Sequence, residues 1–174
     1  NPDAALGVGT LPPTAVLPPV QGGMGTPSGL AVDPVTGALW VSDFDFSRVL
    51  RFASAEAFAT GQAPNLVLGQ ADFAGITAER GTGGASANNL YRPKGIALDG
   101  AGRLFVADSY HHRVLVFKPP FSNGMDASEA IGQADFTGNL DHCTPPSATG
   151  LCYPSDVKFG PDGDLWVADG QNRR

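Results

Sequence analysis

The sequence has no long hydrophobic run, no excess of basic residues and very little cysteine. None of its apolar stretches approaches the roughly 18 residues that a membrane-spanning helix needs, so we expect no membrane span. The formal net charge is -6 and the sequence pI is about 4.8. Nucleic-acid binding takes much of its affinity from basic groups that neutralise phosphates, so we expect no nucleic-acid partner.

Cysteine is limited to Cys143 and Cys152, which bracket a loop rich in Pro and Gly (CTPPSATGLC). This spacing allows a local disulfide, which would stabilise the fold by about 2 to 3 kcal/mol on the chain-entropy account. Two thiols alone cannot form a closed four-ligand zinc site. Free thiols in a cytosolic protein are the alternative, but we favour an exported, oxidised protein that is extracellular or at the cell surface.

Glycine and proline are abundant, with 23 and 15 residues, and the hydrophobic residues occur in short alternating runs between them. Alternating runs separated by turn formers are typical of antiparallel strands. The chain is also long enough to bury a core of its own. The sequence therefore predicts an all-β protein. Because it begins without an initiator Met or a basic and apolar leader, we expect a mature protein or a fragment.

Three segments of the chain are similar to one another and begin 66 and 61 residues apart, at Pro27, Pro93 and Pro154. In each segment, an alternating run, a tight turn and a second run predict a hairpin. In the first two segments a third strand follows, and a fourth ends at the landmark GQADF, which occurs at 69–73 and 132–136. Four short antiparallel strands in each repeat are typical of the blades of a β-propeller.

The expected strands number eleven: an outer strand around residues 14–17, two sets of four and two strands of the last unit. We assign residues 1–13 to an N-terminal extended segment and 14–174 to propeller blades. Rings need about four to eight blades, so either the native chain continues past Arg174 or several copies close a ring together. We favour the first interpretation, because a chain that ended within a blade would leave a bare sheet edge.

An Asp and an Arg five residues apart recur in every unit: Asp43 and Arg48, Asp108 and Arg113, Asp169 and Arg174. A group that shapes each blade must occur in each blade, whereas a catalytic set is normally built once from unlike residues. We therefore predict structural contacts from these pairs. His111 and His112 are adjacent and should point to opposite sides, so they cannot easily bind one metal together. We predict no metal site, no cofactor and no catalytic residue.

The aromatic residues fall into two groups. Those at equivalent positions of the second strand are expected to pack between blades; they are Trp40, Phe105 and Trp166. Others fall in loops or turns and are candidates for a contact surface; they are Phe44, Phe46, Tyr91 and Tyr110.

The repeated pattern resembles the NHL repeat from about residue 14 to the C-terminus. It reads Pro-x-Gly-apolar-Ala-apolar-Asp, a Gly turn, an aromatic-Val-Ala-Asp strand, and then Asn-His-Arg-apolar. The middle unit matches best, with His112 in place and His111 where the family usually has Asn. The first unit departs at Phe46 and Ser47, and the third has Arg173 in place of His. The GQADF landmarks and long loops resemble a bacterial, exported branch of the family, in which a Cys pair often clips such a loop.

The resemblance implies a noncatalytic extracellular propeller that binds a protein or glycan partner, or that assembles into a larger ring or surface assembly. Some family members are amidating lyases that use a metal and residues from several blades. The alternative function is therefore a metal-dependent lyase or lactonase of the six-bladed class. We find no matching cluster of residues in this sequence, and we predict that the protein is not an enzyme.

Overall fold

A computed structural model describes residues 23–174 of the chain. The outer strand expected around residues 14–17 and the extended segment of residues 1–13 lie outside this range. The strands within it are β1 (Pro27–Val32), β2 (Leu39–Asp43), β3 (Arg48–Phe52), β4 (Leu66–Leu68), β5 (Pro93–Leu98), β6 (Leu104–Asp108), β7 (Arg113–Phe117), β8 (Glu129–Ile131), β9 (Pro154–Phe159) and β10 (Leu165–Asp169). Two short 3-10 helices, Ala78–Gly81 and Ser109–His111, lie in the connections. Among these residues, no helix is long and apolar enough to cross a membrane.

The strands form three antiparallel sheets that correspond to the three repeats. The first sheet has the order β1-β2-β3-β4, the second has the order β5-β6-β7-β8, and β9 pairs with β10. The first strands of the sheets lie side by side, with β5 in contact with β1 and with β9. The prediction of an all-β fold built from four-stranded blades in a partial ring is therefore confirmed.

Both faces of the second sheet are buried, because alternate residues of a strand point to opposite sides. Leu104 and Val106 of β6 join the core between the first and second sheets. Phe105 and Ala107 join the core between the second and third sheets. Burial of a large apolar side chain contributes about 1.5 to 3 kcal/mol, so packing between sheets is a main source of stability.

The three equivalent aromatic residues of the second strands differ in exposure. Trp40 is fully buried and Phe105 is 5% exposed, as expected from the sequence. The expectation for Trp166 is wrong, because this side chain is 68% exposed. It belongs to β10 of the third sheet, and none of the other described sheets packs against that face.

The first strands of adjacent sheets approach so closely that glycine is required between them. A Cβ atom at Gly29 would lie 2.5 Å from the carbonyl oxygen of Lys94. A Cβ atom at Gly95 would lie 2.0 Å from Oδ1 and 2.5 Å from Cα of Asp156. The Gly of the Pro-x-Gly pattern therefore sets the spacing of the blades, and Asp156 itself occupies the equivalent position in the third repeat.

The sheets have two distinct ends. We call one end the upper face; it carries the turns between β2 and β3 and between β6 and β7, and the long connections that lead into β5 and β9. We call the other end the lower face; it carries the turns between β1 and β2 and between β5 and β6, and the segments that follow β3 and β7.

Candidate functional site

The repeated Asp and Arg form a buried cluster at the upper end of the second sheet. Oδ1 of Asp108 accepts a hydrogen bond from the backbone N–H of Tyr91 at 2.7 Å. Its Oδ2 lies 2.8 Å from Nε of Arg113 and 2.8 Å from Nδ1 of His111. The side chains of Asp108 and Arg113 are fully buried. The carboxylate thus joins the end of β6 to the start of β7 and to the segment before β5.

The other nitrogens of Arg113 bind backbone carbonyls of two connections. Nη1 donates to the carbonyl of Phe136 at 2.5 Å. Nη2 donates to the carbonyls of Ser86 at 2.9 Å and Asn89 at 3.2 Å. One guanidinium therefore holds the segment after β8 and the segment before β5 against β7. Its donors are occupied by the protein and are not directed at a ligand.

The first and third sheets repeat this arrangement. Nε of Arg48 lies 3.2 Å from Oδ2 of Asp43, and Nε of Arg174 lies 2.9 Å from Oδ2 of Asp169. Each Asp also accepts from backbone just before the first strand of its own unit, as in the 2.6 Å bond from the N–H of Cys152 to Asp169. The predicted structural contacts are thus found in all three units, although Arg174 is 44% exposed while Arg48 and Arg113 are fully buried.

Burial and hydrogen bonding have opposite effects on the pKa values of these carboxyl groups. Burial is the largest influence on Asp43 and raises its pKa above the usual value, although Arg48 and two backbone N–H groups act against it. Burial is also the largest single influence on Asp169 and acts to raise its pKa. There, hydrogen bonds led by that of Asn172 outweigh it, and the pKa of Asp169 is lowered.

The two histidines bind different partners. His111 is 1% exposed, and its ring nitrogens contact Asp108 and, at 3.0 Å, Oε1 of Glu79. Burial acts most strongly and lowers the pKa of His111, but Asp108 and Glu79 together raise it above 6.5. His112 lies on the other side of the turn, where its Nδ1 accepts a hydrogen bond from the N–H of Tyr153 at 3.2 Å.

The same link between blades occurs in the first turn with a different side chain. Oγ of Ser47 accepts a hydrogen bond from the N–H of Arg92 at 3.2 Å, as Nδ1 of His112 does from Tyr153. Ser47 and His112 both have a left-handed backbone, with φ of 50° and 53°. The turn residue of one unit therefore accepts from the residue that precedes the first strand of the next unit. Arg173 has the equivalent backbone, with φ of 56°.

We expect replacement of His112 by Ser to reduce the loss of stability in acid. Burial, the largest cause, lowers the pKa of His112 below 6.5, and only the neutral ring can accept at Nδ1. Since the folded pKa is below the unfolded one, this stabilisation is present above pH 6.5 and is lost as the pH falls below it. A serine hydroxyl keeps an acceptor for Tyr153 but does not titrate, so the free energy of unfolding of His112→Ser should fall less between about pH 7 and 5.

Urea unfolding of both proteins across this pH range measures the effect. The pKa of His111 is raised, so its contribution to stability has the opposite dependence on pH. His111 is present in both proteins, and it is itself one of the groups that lower the pKa of His112, so the difference between the proteins reports the titration of His112 beside this neighbour. Equal slopes of stability against pH for the two proteins would contradict the prediction.

The structure contains one group of three possible metal ligands among its described residues. Ligand atoms of His112, Cys143 and Cys152 lie within 4.8 Å of one another. Cys143 and Cys152 form the predicted disulfide, so neither sulfur offers the thiolate that a metal requires. Nδ1 of His112 is also engaged with Tyr153.

The glutamines of the GQADF landmarks are also structural. Nε2 of Gln70 donates to the carbonyls of Phe46, Ser47 and Thr77 at 2.8 to 3.2 Å. Nε2 of Gln133 donates to the carbonyl of His112 at 3.1 Å. Each Gln thus holds the long connection of its unit against the upper turn, which explains why the landmark repeats.

A partly exposed set of aromatic rings and one cation lies on the upper face across the three sheets. We call it the aromatic surface; its members are Phe44, Tyr91, Arg92, Tyr110 and Tyr153. The ring of Tyr110 is central, with centroids 6.1 Å from Phe44, 5.1 Å from Tyr91 and 5.2 Å from Tyr153. The guanidinium of Arg92 lies 4.9 Å from the Tyr110 centroid and 5.3 Å from that of Phe44.

The sequence identified three of the five members of the aromatic surface. Its prediction for Phe46 is wrong, because this ring is only 8% exposed and lies beneath the guanidinium of Arg48. Sequence reasoning missed Arg92 and Tyr153, each of which directly precedes the Pro that begins a repeat. Their common position is the signal that would have found them.

Comparison with known proteins identifies the repeats. The family model of the NHL repeat matches residues 90–117, which run from the segment before β5 to the end of β7. The human NHL repeat-containing protein 2 is 30% identical over 164 residues, which are 90% of this chain and 21% of the human protein. This chain is an NHL-repeat protein. It spans about a fifth of the length of its human relative, so the NHL repeats are what the two proteins share.

Solved structures are similar to this NHL-repeat chain in fold. A protein of unknown function from Bacteroides thetaiotaomicron has a TM-score of 0.58 and 15% identity, over 88% of this chain and 36% of that one. A luciferin-regenerating enzyme has a TM-score of 0.51 and 17% identity, over 84% of this chain and 38% of that one. At these identities the similarity concerns the fold alone.

Proposed function

We propose that this NHL-repeat chain is a noncatalytic binding module that contacts a protein or glycan partner through the aromatic surface. The observation that carries the proposal is that the repeated polar side chains of the upper face bind the protein itself, whereas the aromatic surface beside them stays partly exposed. The repeated Asp, Arg and Gln side chains are committed to the protein itself, whereas the aromatic rings and Arg92 remain partly exposed.

The chemistry of the aromatic surface supports this role. Tyr and Arg are enriched at the energetic centres of protein interfaces, and tyrosine rings also present flat apolar faces beside polar hydroxyls. Arg92 forms no ion pair with any of the described carboxylates. Its guanidinium packs against the surrounding rings and stays partly exposed, where a partner can contact it. NHL-repeat propellers commonly mediate protein interactions.

The proposal places the protein outside the cell or at its surface. The support for this location is the disulfide between Cys143 and Cys152, since disulfides persist in oxidising compartments. Assembly with further blades, from a longer chain or from other copies, is compatible with the same surface, because the aromatic surface lies on the upper face and not between sheets.

Binding measurements on a glycan array and on a panel of purified extracellular proteins test the proposal. The wild-type chain should bind at least one member, and Tyr110→Ala should weaken that binding about 30-fold, the effect of losing a central interface residue. Glu56→Ala removes an exposed side chain of the segment that follows β3 on the lower face and should leave binding unchanged. Equal loss in both variants, or no binding by the wild type, would reject the aromatic surface as the site.

The same preparation tests the alternative of a metal-dependent lyase or lactonase. Metal analysis of the purified protein should show no stoichiometric ion if the protein is a binding module. A tightly held ion together with turnover of a lactone would favour the enzyme.

A further inference from the structure

A cavity of about 230 Å³ opens on the lower face between the first and second sheets. The turn between β1 and β2 and the turn between β5 and β6 line two of its sides. Pro119, Pro120 and Phe121, which follow β7, line another, and Arg51 of β3 completes it. No member of the repeated Asp and Arg pairs lines this cavity, and it lies at the opposite end of the sheets from the aromatic surface.

Arg51 is a partly exposed cation with one buried donor that has no acceptor. It pairs with Trp40 across β3 and β2, so both side chains point toward the second sheet. Its Nε is buried and has no hydrogen-bond partner, and among the described residues it forms no ion pair. Arg48, three positions earlier on the same strand, binds a carboxylate and two carbonyls. Because arginine cannot lose its proton in a protein, the buried donor of Arg51 requires an acceptor from elsewhere.

Trp40, the residue that pairs with Arg51 across the strands, also has a buried donor without a partner, although it does not itself line the cavity. The indole N–H of Trp40 is buried and has no hydrogen-bond partner. The ring of Trp40 contacts two residues that line the cavity: the guanidinium of Arg51 lies 5.8 Å from its centroid and the ring of Phe121 lies 4.8 Å from it. Buried donors without partners are rare in folded proteins, and an unseen water, ion or ligand usually accounts for them.

The one acidic residue that lines the cavity does not supply the missing acceptor. The carboxylate of Asp33 accepts hydrogen bonds from the N–H of Val35 at 2.9 Å and from the N–H and hydroxyl of Thr36. These bonds hold its charge within the turn between β1 and β2. The remaining wall is apolar, and it includes Val35 and Phe121.

We propose that this cavity is a binding site for a small monocarboxylate with an apolar body. The carboxylate accepts from the guanidinium of Arg51, and the apolar body packs against Val35 and Phe121. A carboxylate has two acceptor oxygens and no donor, which matches the fork of N–H donors of a guanidinium. A volume of about 230 Å³ has room for a ligand the size of a single ring or a short aliphatic acid.

Titration with benzoate, followed by two-dimensional NMR of the 15N-labelled chain, tests the proposal. The chain has two tryptophans, so two indole N–H signals report on it. The signal of Trp40 should shift and saturate, while that of the exposed Trp166 on the third sheet should not move. Benzamide has the same shape without the charge and should bind at least about tenfold more weakly, because hydrogen bonds to charged groups are the stronger ones.

A matched pair of variants separates the site from a general effect of charge. Arg51→Gln should weaken benzoate binding about tenfold or more. Arg173→Gln removes an exposed guanidinium of the third repeat that is not among the residues lining the cavity, so it should leave benzoate binding unchanged.

The outcomes distinguish this proposal from others. Equal binding of benzoate and benzamide, equal effects of the two Arg variants, or no saturable shift of Trp40 would overturn it. Saturation by inorganic phosphate at concentrations below those of benzoate would also overturn it, because the site would then recognise a bare anion. None of these results depends on the aromatic surface, so this proposal and the proposed function fail or succeed separately.

Discussion

Replacement of Arg113 by Met should lower the free energy of unfolding by about 3 to 5 kcal/mol, the usual cost of removing one partner from a buried ion pair. The variant leaves the buried carboxylate of Asp108 without its main partner. It also leaves the carbonyls of Phe136, Ser86 and Asn89 without their donor. Methionine fills similar space, so the loss reports on charge and hydrogen bonding more than on packing. Urea unfolding measures it.

The third repeat supplies a matched control for this variant. Arg174 makes the same contact with Asp169, but its side chain is 44% exposed, so water replaces much of what Arg174→Met removes. We expect a loss of about 1 kcal/mol or less there, as for exposed ion pairs. Similar losses in both variants would show that the buried cluster around Asp108 does not have the role that its geometry indicates.

Replacement of Gly95 by Ala should be the other strongly destabilising change, by about 3 kcal/mol. The added Cβ would lie 2.5 Å from Cα of Asp156, and a backbone atom cannot move aside without separating β5 from β9. Overpacking in well-packed regions typically costs about 1 to 3 kcal/mol, and contact with backbone lies at the upper end of that range. Thermal and urea unfolding should both show the loss.

Gly100 provides the control for the effect of alanine itself. A Cβ at this position would meet no atom within 4 Å, and Gly100→Ala should change stability by less than about 1 kcal/mol. If Gly95→Ala were as stable as Gly100→Ala, the close approach of the first strands would not determine how the blades pack.

The sequence predicted the fold well because the fold is repetitive. Alternation of apolar residues identified the hairpins that begin at Pro27, Pro93 and Pro154, and repetition showed that they are equivalent. The wrong prediction that Trp166 is buried also came from the repetition. An equivalent position in a repeat implies an equivalent environment only where a neighbouring sheet is present on that side, and the residues of one strand do not contain that information.

Individual side-chain environments on the upper face were harder to predict. Phe46 lies in a turn, as Phe44 does, and a sequence pattern alone does not distinguish the ring that points inward from the one that points outward. Arg92 and Tyr153 were missed because each lies in the connection just before a repeat, where the alternating strand pattern does not show which side chains reach the upper face. The two unpaired donors at Trp40 and Arg51 were also invisible, because only three-dimensional contacts reveal which polar atoms lack partners.

The hydrogen bonds that Ser47 and His112 accept show that the junction between units needs a side-chain lone pair on a residue with a left-handed backbone. Side chains of different shape can supply that lone pair. A unit copied or transplanted during evolution therefore keeps its junction as long as its turn ends in a residue that can accept. Arginine has five donors and no acceptor, so Arg173 cannot serve a following unit in this way. In an array designed so that a further unit follows this one, Arg173→Ser would supply the acceptor.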